Sequence, residues 1–407
     1  MRRDVEGCNH MKDAATRSEE LFKLYEQVPD TGAGFEEEEP AVDSRTGKSL
    51  EEIYGASQWR LMWRKFIRNR AAIAGAIVIL LFYLGALFAD SLAPYTLTTR
   101  FTKYIYMPPQ RVHFFNEGKL QPFVYDLEQK LDESLRRTYT LDPDKKIPIQ
   151  FFARGEPYKL LGLIPADVHL FQGAEGKPVC LLGTDRQGRD MFSRILLGSQ
   201  ISLTIGLVGV ALSLAIGAVL GIVSGYYSGT VDNVIQRVIE LIRAFPSVPL
   251  WMALSAAIPL SWTVMQTYFA ISIILSLIGW TWLARQLRGK VLAIRNADFV
   301  LAAKLAGASD AWIIFRHLVP ATLGHIVVIS TLAMPAMILA ETSLSYLGLG
   351  LRPPVTSWGV LIQESQNYQS LALYPWVFTP AAVIAICILA FSYLGDGLRD
   401  AVDPYTI

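Results

Sequence analysis

Long uncharged stretches alternate with polar, charged segments along this chain. A helix needs about 20 predominantly apolar residues to cross a bilayer. The pattern predicts six such spans, at residues 71–89, 201–223, 241–260, 264–284, 326–347 and 376–394. Pro246 and Pro249 predict a kink in the third span, and the four-residue spacing of Gly217 and Gly221 predicts close helix contact in the second. The predicted fold class is an all-α polytopic membrane protein with six transmembrane helices.

Polar residues precede the first predicted span. Residues 1–56 carry too little apolar surface to offset the entropy of ordering, so we expect a disordered tail there. Residues 57–70 repeat apolar side chains such as Trp63 and Phe66 at helical spacing, opposite Arg64. This pattern predicts an interfacial amphipathic helix that leads into the first span.

A second polar segment, residues 94–178, separates the first two predicted spans. Its length suffices for a small folded α+β subdomain. Within it, residues 126–137 look helical, and residues 147–154 and 158–163 look like strands bounded by Pro and Gly.

Basic residues indicate the orientation in the membrane. Five Lys or Arg residues precede the first span within residues 60–70, and six more fall within residues 285–316. Cytoplasmic loops carry an excess of Lys and Arg, so both groups are predicted to be cytoplasmic. Both termini are then cytoplasmic, including residues 397–407, and the insert at 94–178 lies outside.

Composition and candidate ligands exclude several other classes of protein. Of the 407 residues, 52% are hydrophobic and only 18% are charged, whereas soluble domains carry about 25% charged residues. A net charge of +1 gives no bulk attraction to nucleic acid. Cys8, Cys180 and Cys387 fall in different predicted segments, which favours neither a disulfide framework nor a metal site. His113 and His169 have no Cys or Glu partners at ligand spacing, so we expect no metal.

The segment at residues 285–325, between the fourth and fifth spans, is the most informative about function. Asp298 begins a short run of helix-forming residues, and Gly307 follows it with a residue that readily takes a positive φ. Ser309 or Asp310 can cap the next helix. The pattern predicts a short helix, a chain reversal and a second helix.

Ala302 and Ala303 give this short helix a low-relief face against which another protein can pack closely. An ordinary amphipathic helix on the membrane surface is an equally good interpretation of the residues alone. No nucleotide-binding loop accompanies it: Gly47-Lys48-Ser49 resembles the end of one, but Val42 stands where its first glycine should be.

The pattern Ala302-Ala303-x-x-x-Gly307, with Ile314 and Pro320 downstream, resembles the EAA signature of permease subunits of binding-protein-dependent ABC importers. Further motifs narrow the resemblance to the dipeptide/oligopeptide permease family, C-type subunit, and it extends in order over residues 57–407. These motifs are Leu182-Gly183-Thr184-Asp185-x-x-Gly188-Arg189-Asp190, Ser193-Arg194, Gly225-Tyr226-Tyr227-Ser228-Gly229, Phe245-Pro246, Glu341-Thr342-Ser343-Leu344-Ser345-Tyr346-Leu347-Gly348-Leu349-Gly350, Ser357-Trp358-Gly359 and Gly395-Asp396-x-Leu398-Arg399-Asp400-x-x-Asp403-Pro404.

The resemblance implies a type I ABC importer permease fold, with a permease domain at residues 200–396. It implies a subunit of the bacterial inner membrane that forms half of the path for peptides or similar-sized solutes such as oligosaccharides. The implied partners are a second permease subunit in a heterodimer, two ABC ATPase subunits and an extracytoplasmic solute-binding protein. ATP and Mg would bind to the ATPase subunits, so this chain is expected to hold no cofactor, to have no catalytic residues and to be no enzyme.

The resemblance also implies roles for particular residues. The helix expected to dock on the ATPase comprises Asp298, Phe299, Val300, Ala302, Ala303, Lys304, Leu305, Gly307 and Ala308. Leu301 stands where the motif has its glutamate, which departs from the family pattern. The outer motif, at the mouth of the path, comprises Gly183, Thr184, Asp185, Gly188, Arg189 and Asp190.

Glu341, Pro246 and Pro249 are the candidate gate or path residues. Glu341 is the one acid deep inside a predicted span, where carboxylates are costly and face a cavity or a partner. A structural hydrogen bond to the loop at residues 348–350, or to a partner subunit, is the favoured interpretation of it. A secondary transporter or a channel subunit is the alternative function, although the chain shows no internal repeat.

Overall fold

A computed structural model describes residues 58–116, 118–133, 137–160, 162–352, 355–366 and 372–402. The predicted disordered tail at residues 1–56, Cys8 and residues 403–407 lie outside the described residues. Met1–Arg60 and Leu61–Ile407 are separate units, and nearly all described residues belong to the second.

Helices dominate the described part of the chain. They are α1 Gln58–Arg68, α2 Arg70–Leu87, α3 Ala89–Leu92, α4 Met191–Tyr227, α5 Gly229–Arg243, α6 Ser247–Ala256, α7 Val264–Ile294, α8 Asp298–Leu305, α9 Asp310–Ile313, α10 Val319–Tyr346, α11 Trp358–Glu364 and α12 Thr379–Val402. A π-helical turn at Ile314–Leu318 joins α9 to α10. Short 3₁₀ turns cover Ala174–Gly176 and Pro375–Phe378.

Five helical segments of the described chain are long and apolar enough to cross a membrane. They are Arg70–Leu87, Met191–Tyr227, Val264–Ile294, Asp310–Tyr346 and Pro375–Val402. Each overlaps one predicted span. The predicted all-α, multi-pass fold class is therefore confirmed for the membrane part of the chain.

The third predicted span is not one straight helix. Helices α5 and α6 together pass the same test of length and hydropathy, but they bend by 79° where they meet. Pro246 is the residue before α6, and Pro249 lies in the first turn of α6, where a missing N–H costs no intrahelical hydrogen bond. The predicted kink therefore occurs at Pro246, and Leu241 belongs to the preceding helix α5.

Helices α4 and α7 extend furthest beyond the spans that the hydropathy pattern predicts. Helix α4 begins ten residues before position 201, and α7 continues ten residues past position 284. The charged residues in these extensions lower the hydropathy without ending the helix, because Lys and Arg are good helix formers. Arg194 in α4 and Arg288 in α7 are both ion-paired.

Helices α4 and α7 pack through a row of small residues. A Cβ added to Gly221 would lie 2.6 Å from the carbonyl oxygen of Ala284, and one added to Gly217 would lie 2.9 Å from the Cβ of Leu283. Only glycine permits this approach of the two backbones. The predicted close contact at Gly217 and Gly221 is confirmed.

The insert folds as an antiparallel sheet in the order β1-β2-β3-β4. The strands are β1 His113–Asn116, β2 Lys119–Leu131, β3 Arg137–Leu160 and β4 Ile164–Gly173. The long strand β3 pairs with β2 through its first half and with β4 through its second half. The two predicted strands fall mainly within β3, which ends at Leu160, before the end of the second prediction.

The helix predicted at residues 126–137 is wrong. Residues up to Leu131 belong to β2, and Arg137 begins β3. The segment has helical spacing of Leu residues and good helix formers, but pairing with β3 overrides this local preference. Leu127 and Tyr139 of the facing strand both pack against a small apolar cluster of Tyr95, Met107 and Cys180. The insert is thus a β-sheet with one 3₁₀ turn among its described residues, rather than α+β.

The sheet and helix α8 lie at opposite ends of the bundle. Gln172 of β4 donates a hydrogen bond to the carbonyl of Pro94, just after α3. At the other end, the last turn of α4 contacts the residues that follow α8. We call these the sheet end and the α8 end.

Candidate functional site

Helix α8 ends in a Schellman motif. Gly307 has φ +79°, the N–H of Gly307 donates to the Lys304 carbonyl, and that of Ala308 donates to the Ala303 carbonyl, both at 3.0 Å. Glycine takes this conformation without the penalty that a Cβ brings. Ser309 then caps α9 by accepting the N–H of Trp312 at 3.4 Å. The predicted reversal at Gly307 and the predicted cap are confirmed.

One face of α8 is buried within this chain. Val300 is fully buried and Ala303 is 7% exposed, and both pack in an apolar cluster with Ile222, Tyr226 and other residues. Ala303 therefore faces the helix bundle of this chain, which corrects the expectation that it faces a partner protein. Ala302 lies on the exposed side. Neighbouring residues of a helix point to different sides, so the sequence motif alone does not show whether Ala302 or Ala303 faces outward.

The side of α8 opposite Val300 and Ala303 presents apolar side chains. Leu301 and Leu305, four residues apart on that side, are 43% and 90% exposed. Phe299 is 43% exposed on the flank of the helix, and Phe315, in the following π-helical turn, is 74% exposed. Exposed apolar residues on one side of a helix mark an interaction surface. We call Leu301 and Leu305 the apolar face of α8. Phe315 was not predicted, because it lies outside residues 298–308 of the predicted docking helix.

Polar contacts fasten this region to helix α4. The Tyr226 hydroxyl donates a 2.7 Å hydrogen bond to the Asp310 carboxylate, and the Lys304 ammonium lies 5.1 Å from the centre of the Tyr226 ring. Nearby, the Arg288 guanidinium binds both carboxylate oxygens of Asp232, at 2.6 and 2.5 Å. The Tyr226 contacts thus tie α8 and the start of α9 to the last turn of α4, and the Arg288 pair ties α7 to α5.

Glu341 is fully buried and accepts hydrogen bonds from two hydroxyls. Ser345 donates to its Oε1 at 2.7 Å, and Ser202 of α4 donates to its Oε2 at 3.3 Å. The same two hydroxyls accept the backbone N–H of Leu351 and of Trp358. The carboxylate thus connects α10 to α4, to the loop after α10 and to the start of α11.

The outer motif is built into the interior of this chain. All six of its predicted residues are buried. Gly183 and Gly188 have positive φ, at +75° and +73°, and an added Cβ on Gly183 would lie 2.5 Å from the Met107 carbonyl oxygen. Thr184 and Asp190 form a β-bridge that closes the loop. The motif therefore shapes the chain before α4 and does not form an open contact surface at the mouth of the path.

A buried ion network continues from this motif. Arg194 Nη1 lies 2.6 Å from both the Asp185 and the Glu364 carboxylates. Arg189 also binds both acids, at 2.7 and 2.6 Å. The network joins the loop before α4 to the end of α11. Glu364 was not predicted, since it lies 170 residues from Arg194 in the chain and no local pattern marks it.

Asp190 sits at the N-cap of α4 and is 2% exposed. Burial raises the pKa of its carboxyl to about 6, although hydrogen bonds from the Ser193 hydroxyl and N–H favour the charged form. Burial likewise raises the pKa of the neighbouring Cys180 thiol, and the Asp190 charge adds to that shift. A buried capping carboxylate of this kind is sensitive to pH.

No group of three or more His, Cys, Asp or Glu residues suited to a metal occurs among the described residues. The buried His169 instead places its ring nitrogens 2.6 Å from the Ala93 carbonyl and 2.9 Å from the Glu156 carbonyl. Cys180 and Cys387 are both buried and unpaired with another cysteine.

The chain has several helices that are long and apolar enough to cross a membrane, and the short helix α8 lies between two of them. This arrangement fits a subunit of a membrane transport system. The family described as "Binding-protein-dependent transport system inner membrane component" matches residues 217–407. The "N-terminal TM domain of oligopeptide transport permease C" matches residues 57–109.

Two relatives, from Salmonella typhimurium and Lactococcus lactis, agree with both matches. The oligopeptide transport system permease protein OppC of Salmonella typhimurium is 31% identical, over 87% of this chain and 93% of its own. The dipeptide transport system permease protein DppC of Lactococcus lactis is 34% identical, over 89% of this chain and 96% of its own. A chain from the inward-facing MetNI methionine ABC transporter covers 52% of this chain and 98% of its own, with 16% identity and a TM-score of 0.41.

The chain belongs to the family of binding-protein-dependent ABC importer permeases, in the branch of the oligopeptide and dipeptide permease C subunits. It is a multi-pass membrane component of an ATP-driven importer. The alternative of a secondary transporter or channel subunit is not supported. Membership implies ATPase and solute-binding partners, and the family consists of transport components rather than enzymes.

Proposed function

We propose that this chain forms half of the translocation path of an importer for dipeptides or oligopeptides, beside a second, related permease subunit. The proposal is supported by the relatives named for oligopeptide and dipeptide transport, which align over nearly nine-tenths of the chain. A solute-binding protein on the sheet side would deliver the peptide. Two ATPase subunits on the opposite side would bind ATP and Mg, and this chain would hold no cofactor.

The apolar face of α8 carries the proposed coupling role. Leu305 is 90% exposed although the rest of the helix is anchored by Val300 and Ala303. A helix fixed on one side and apolar on the other suits docking into a groove of the ATPase subunit. Leu301, at the position of the motif glutamate, then contributes apolar contact in place of a charge. Asp298, Ala302, Lys304, Gly307 and Ala308 complete the proposed docking helix.

The same assignment orients the chain in the bilayer. Most basic residues of the membrane part lie near α1 and α8, so the α8 end and both termini would be cytoplasmic. The sheet would then lie outside, in the periplasm or at the cell surface. An impermeant thiol reagent should label Glu133→Cys from outside in intact cells; labelling from the cytoplasmic side alone would invert this orientation.

Glu341 fits the role of a structural brace better than that of a gate. Its carboxylate is fully buried and already accepts hydrogen bonds from two helices of this chain. Bending during transport would occur at the break before α6, where Pro246 and Pro249 lie. The outer motif would hold α4 and α11 together around the mouth of the path.

The decisive experiment is reconstitution. The chain should co-purify with two ATPase subunits and one other permease, and proteoliposomes with the binding protein should accumulate labelled peptide only with ATP. Leu305→Asp should reduce ATPase attachment at least tenfold, whereas Leu120→Asp, which alters a similarly exposed leucine of the sheet, should not. A complex with two copies of this chain, or uptake without ATP, would contradict the proposal.

A further inference from the structure

The turn between β3 and β4 has an unusual composition. No charged residue lies between Lys159 and Asp167 in the sequence. Leu163 is 82% exposed and Ile164 is 61% exposed. Hairpin turns in water favour Gly, Asn, Asp, Ser and Pro, because these residues suit tight turns and are well hydrated. An apolar, exposed turn therefore needs a non-aqueous environment or a covering surface.

The other long hairpin of the same sheet provides an internal comparison. Strand β2 ends at Leu131, and the exposed acids Asp132 and Glu133 follow it. Two hairpins of one sheet thus have turns of opposite polarity. Exposed apolar residues also occur elsewhere on the sheet, among them Leu120 and Phe152, so the position of the β3–β4 turn relative to α2 decides what covers it.

Contacts along β4 show where the apolar turn points. Gln172 donates a hydrogen bond to the Pro94 carbonyl at 3.0 Å, and His169 lies 2.6 Å from the Ala93 carbonyl. Tyr158 of β3 pairs with Ala166 in the sheet, and β3 and β4 both contact α3, the short helix directly after α2. Toward the turn, the hairpin therefore comes closer to α2.

The hairpin continues beyond Tyr158. Leu160 pairs with Ile164 at the end of the hairpin, two residues past Tyr158, which corresponds to about 7 Å of strand. The direction is that of the sheet end of α2. There, Leu84, Leu87 and Phe88 are exposed on a helix that qualifies as a membrane span. The apolar turn and the apolar surface of α2 thus lie on one side of the sheet.

We propose that the tip of the β3–β4 hairpin, formed by Leu160, Leu163 and Ile164, inserts into the interfacial region of the bilayer leaflet at the sheet end. Continuity with the lipid-facing residues of α2 identifies lipid as the occupant. Lys159 and Arg154 are exposed on the same hairpin, where basic side chains meet lipid phosphates. The insertion fixes the height and tilt of the sheet above the membrane. It rests on α2 spanning the bilayer and not on the identity of the transported solute.

Fluorescence quenching tests this placement in the full complex, reconstituted in vesicles of phosphatidylcholine and phosphatidylglycerol. Leu163→Cys and, separately, Glu133→Cys are labelled with the fluorophore NBD in a Cys8→Ser background, since Cys180 and Cys387 are buried. Ile164→Cys is a second probe of the tip. Transport by each labelled variant confirms that it is folded.

Quenching by lipids with a shallow doxyl group should be at least threefold stronger at position 163 than at position 133. Quenching by aqueous iodide should show the reverse order. Equal iodide quenching at both positions would place the tip in water and overturn the proposal. Protection of position 163 from both quenchers would mean that a protein partner covers the tip, and this also overturns it.

Discussion

The Tyr226 hydroxyl donates a 2.7 Å hydrogen bond to the Asp310 carboxylate, and this contact joins the last turn of α4 to the start of α9. Tyr226 is buried, and its ring also contacts the Lys304 ammonium of α8. The short helices between α7 and α10 are therefore fastened to a second, separate span. In the proposed docking arrangement, a displacement of α8 by an ATPase subunit would act on α4 directly.

Tyr226→Phe should weaken this connection without removing the ring that Lys304 contacts. The lost hydrogen bond is partly exposed at Asp310, so its contribution should be about 1 kcal/mol, or roughly fivefold in the equilibrium between attached and detached loop. We expect fewer peptides transported per ATP hydrolysed, with the ATPase subunits still bound. The measurement is peptide uptake and phosphate release in the same proteoliposomes.

Tyr227→Phe is the matched control, because it removes a hydroxyl from the neighbouring, half-exposed residue. An unchanged ratio of transport to hydrolysis in Tyr226→Phe would show that α4 takes no part in coupling.

Gly307→Val should destabilise the reversal after α8. Gly307 has φ +79°, and an added Cβ would meet no atom within 4 Å, so the cost is backbone strain rather than a clash. That strain should amount to about 1–3 kcal/mol, and Gly307→Asn should cost less because Asn tolerates this region better. We expect weaker retention of ATPase subunits on an affinity column carrying the permease.

Gly289→Ala serves as the control for Gly307→Val. Gly289 lies in α7 at φ below zero with open space around it, so alanine should be neutral or slightly stabilising there. Full retention of ATPase subunits by Gly307→Val would mean that the reversal does not present the apolar face of α8.

Gly221→Ala should lower the thermal stability of the bundle. The new Cβ would lie 2.6 Å from the Ala284 carbonyl oxygen, so α4 and α7 would have to separate, at about 1–3 kcal/mol. Gly85→Ala is the control, since its Cβ would meet only a Leu196 methyl at 3.9 Å. Thermal unfolding in detergent should distinguish the two, and equal midpoints would show that the helix contact is loose.

Much of the membrane part could be predicted from the sequence, because lipid demands long apolar helices and close packing demands glycine. Positions such as Gly221 and Gly307 carry that information in a single residue. The lengths of α4 and α7 could not be predicted, since the charges of Arg194 and Arg288 are neutralised by acids such as Glu364 and Asp232, which lie 170 and 56 residues away in the chain. A hydropathy profile registers each charged residue, but it contains no information about the acid that neutralises the charge in the folded chain.

The insert and the sides of α8 show the same limit. The residues around Leu127 have helical spacing and good helix propensity, yet pairing with β3 places Leu127 in a strand. Ala303 was expected to face a partner, but the apolar cluster around Tyr226 covers it. Contacts between distant segments decide both outcomes, and no local pattern contains them.

Asp190→Asn should remove a pH dependence of stability. Burial raises the pKa of Asp190 in the folded chain to about 6, against a value of 3.8 without burial. Between these values the folded state binds the proton more tightly than the unfolded state, so this group stabilises the chain at low pH. The contribution is lost as the pH rises from about 4 to about 6, with an upper limit of about 3 kcal/mol.

The asparagine variant keeps an oxygen that can cap α4 but cannot ionise. Its unfolding temperature relative to the unaltered chain should therefore be several degrees higher at pH 7 than at pH 4.5. A constant offset for Asp190→Asn at both pH values would show that the buried carboxyl keeps its ordinary affinity for protons.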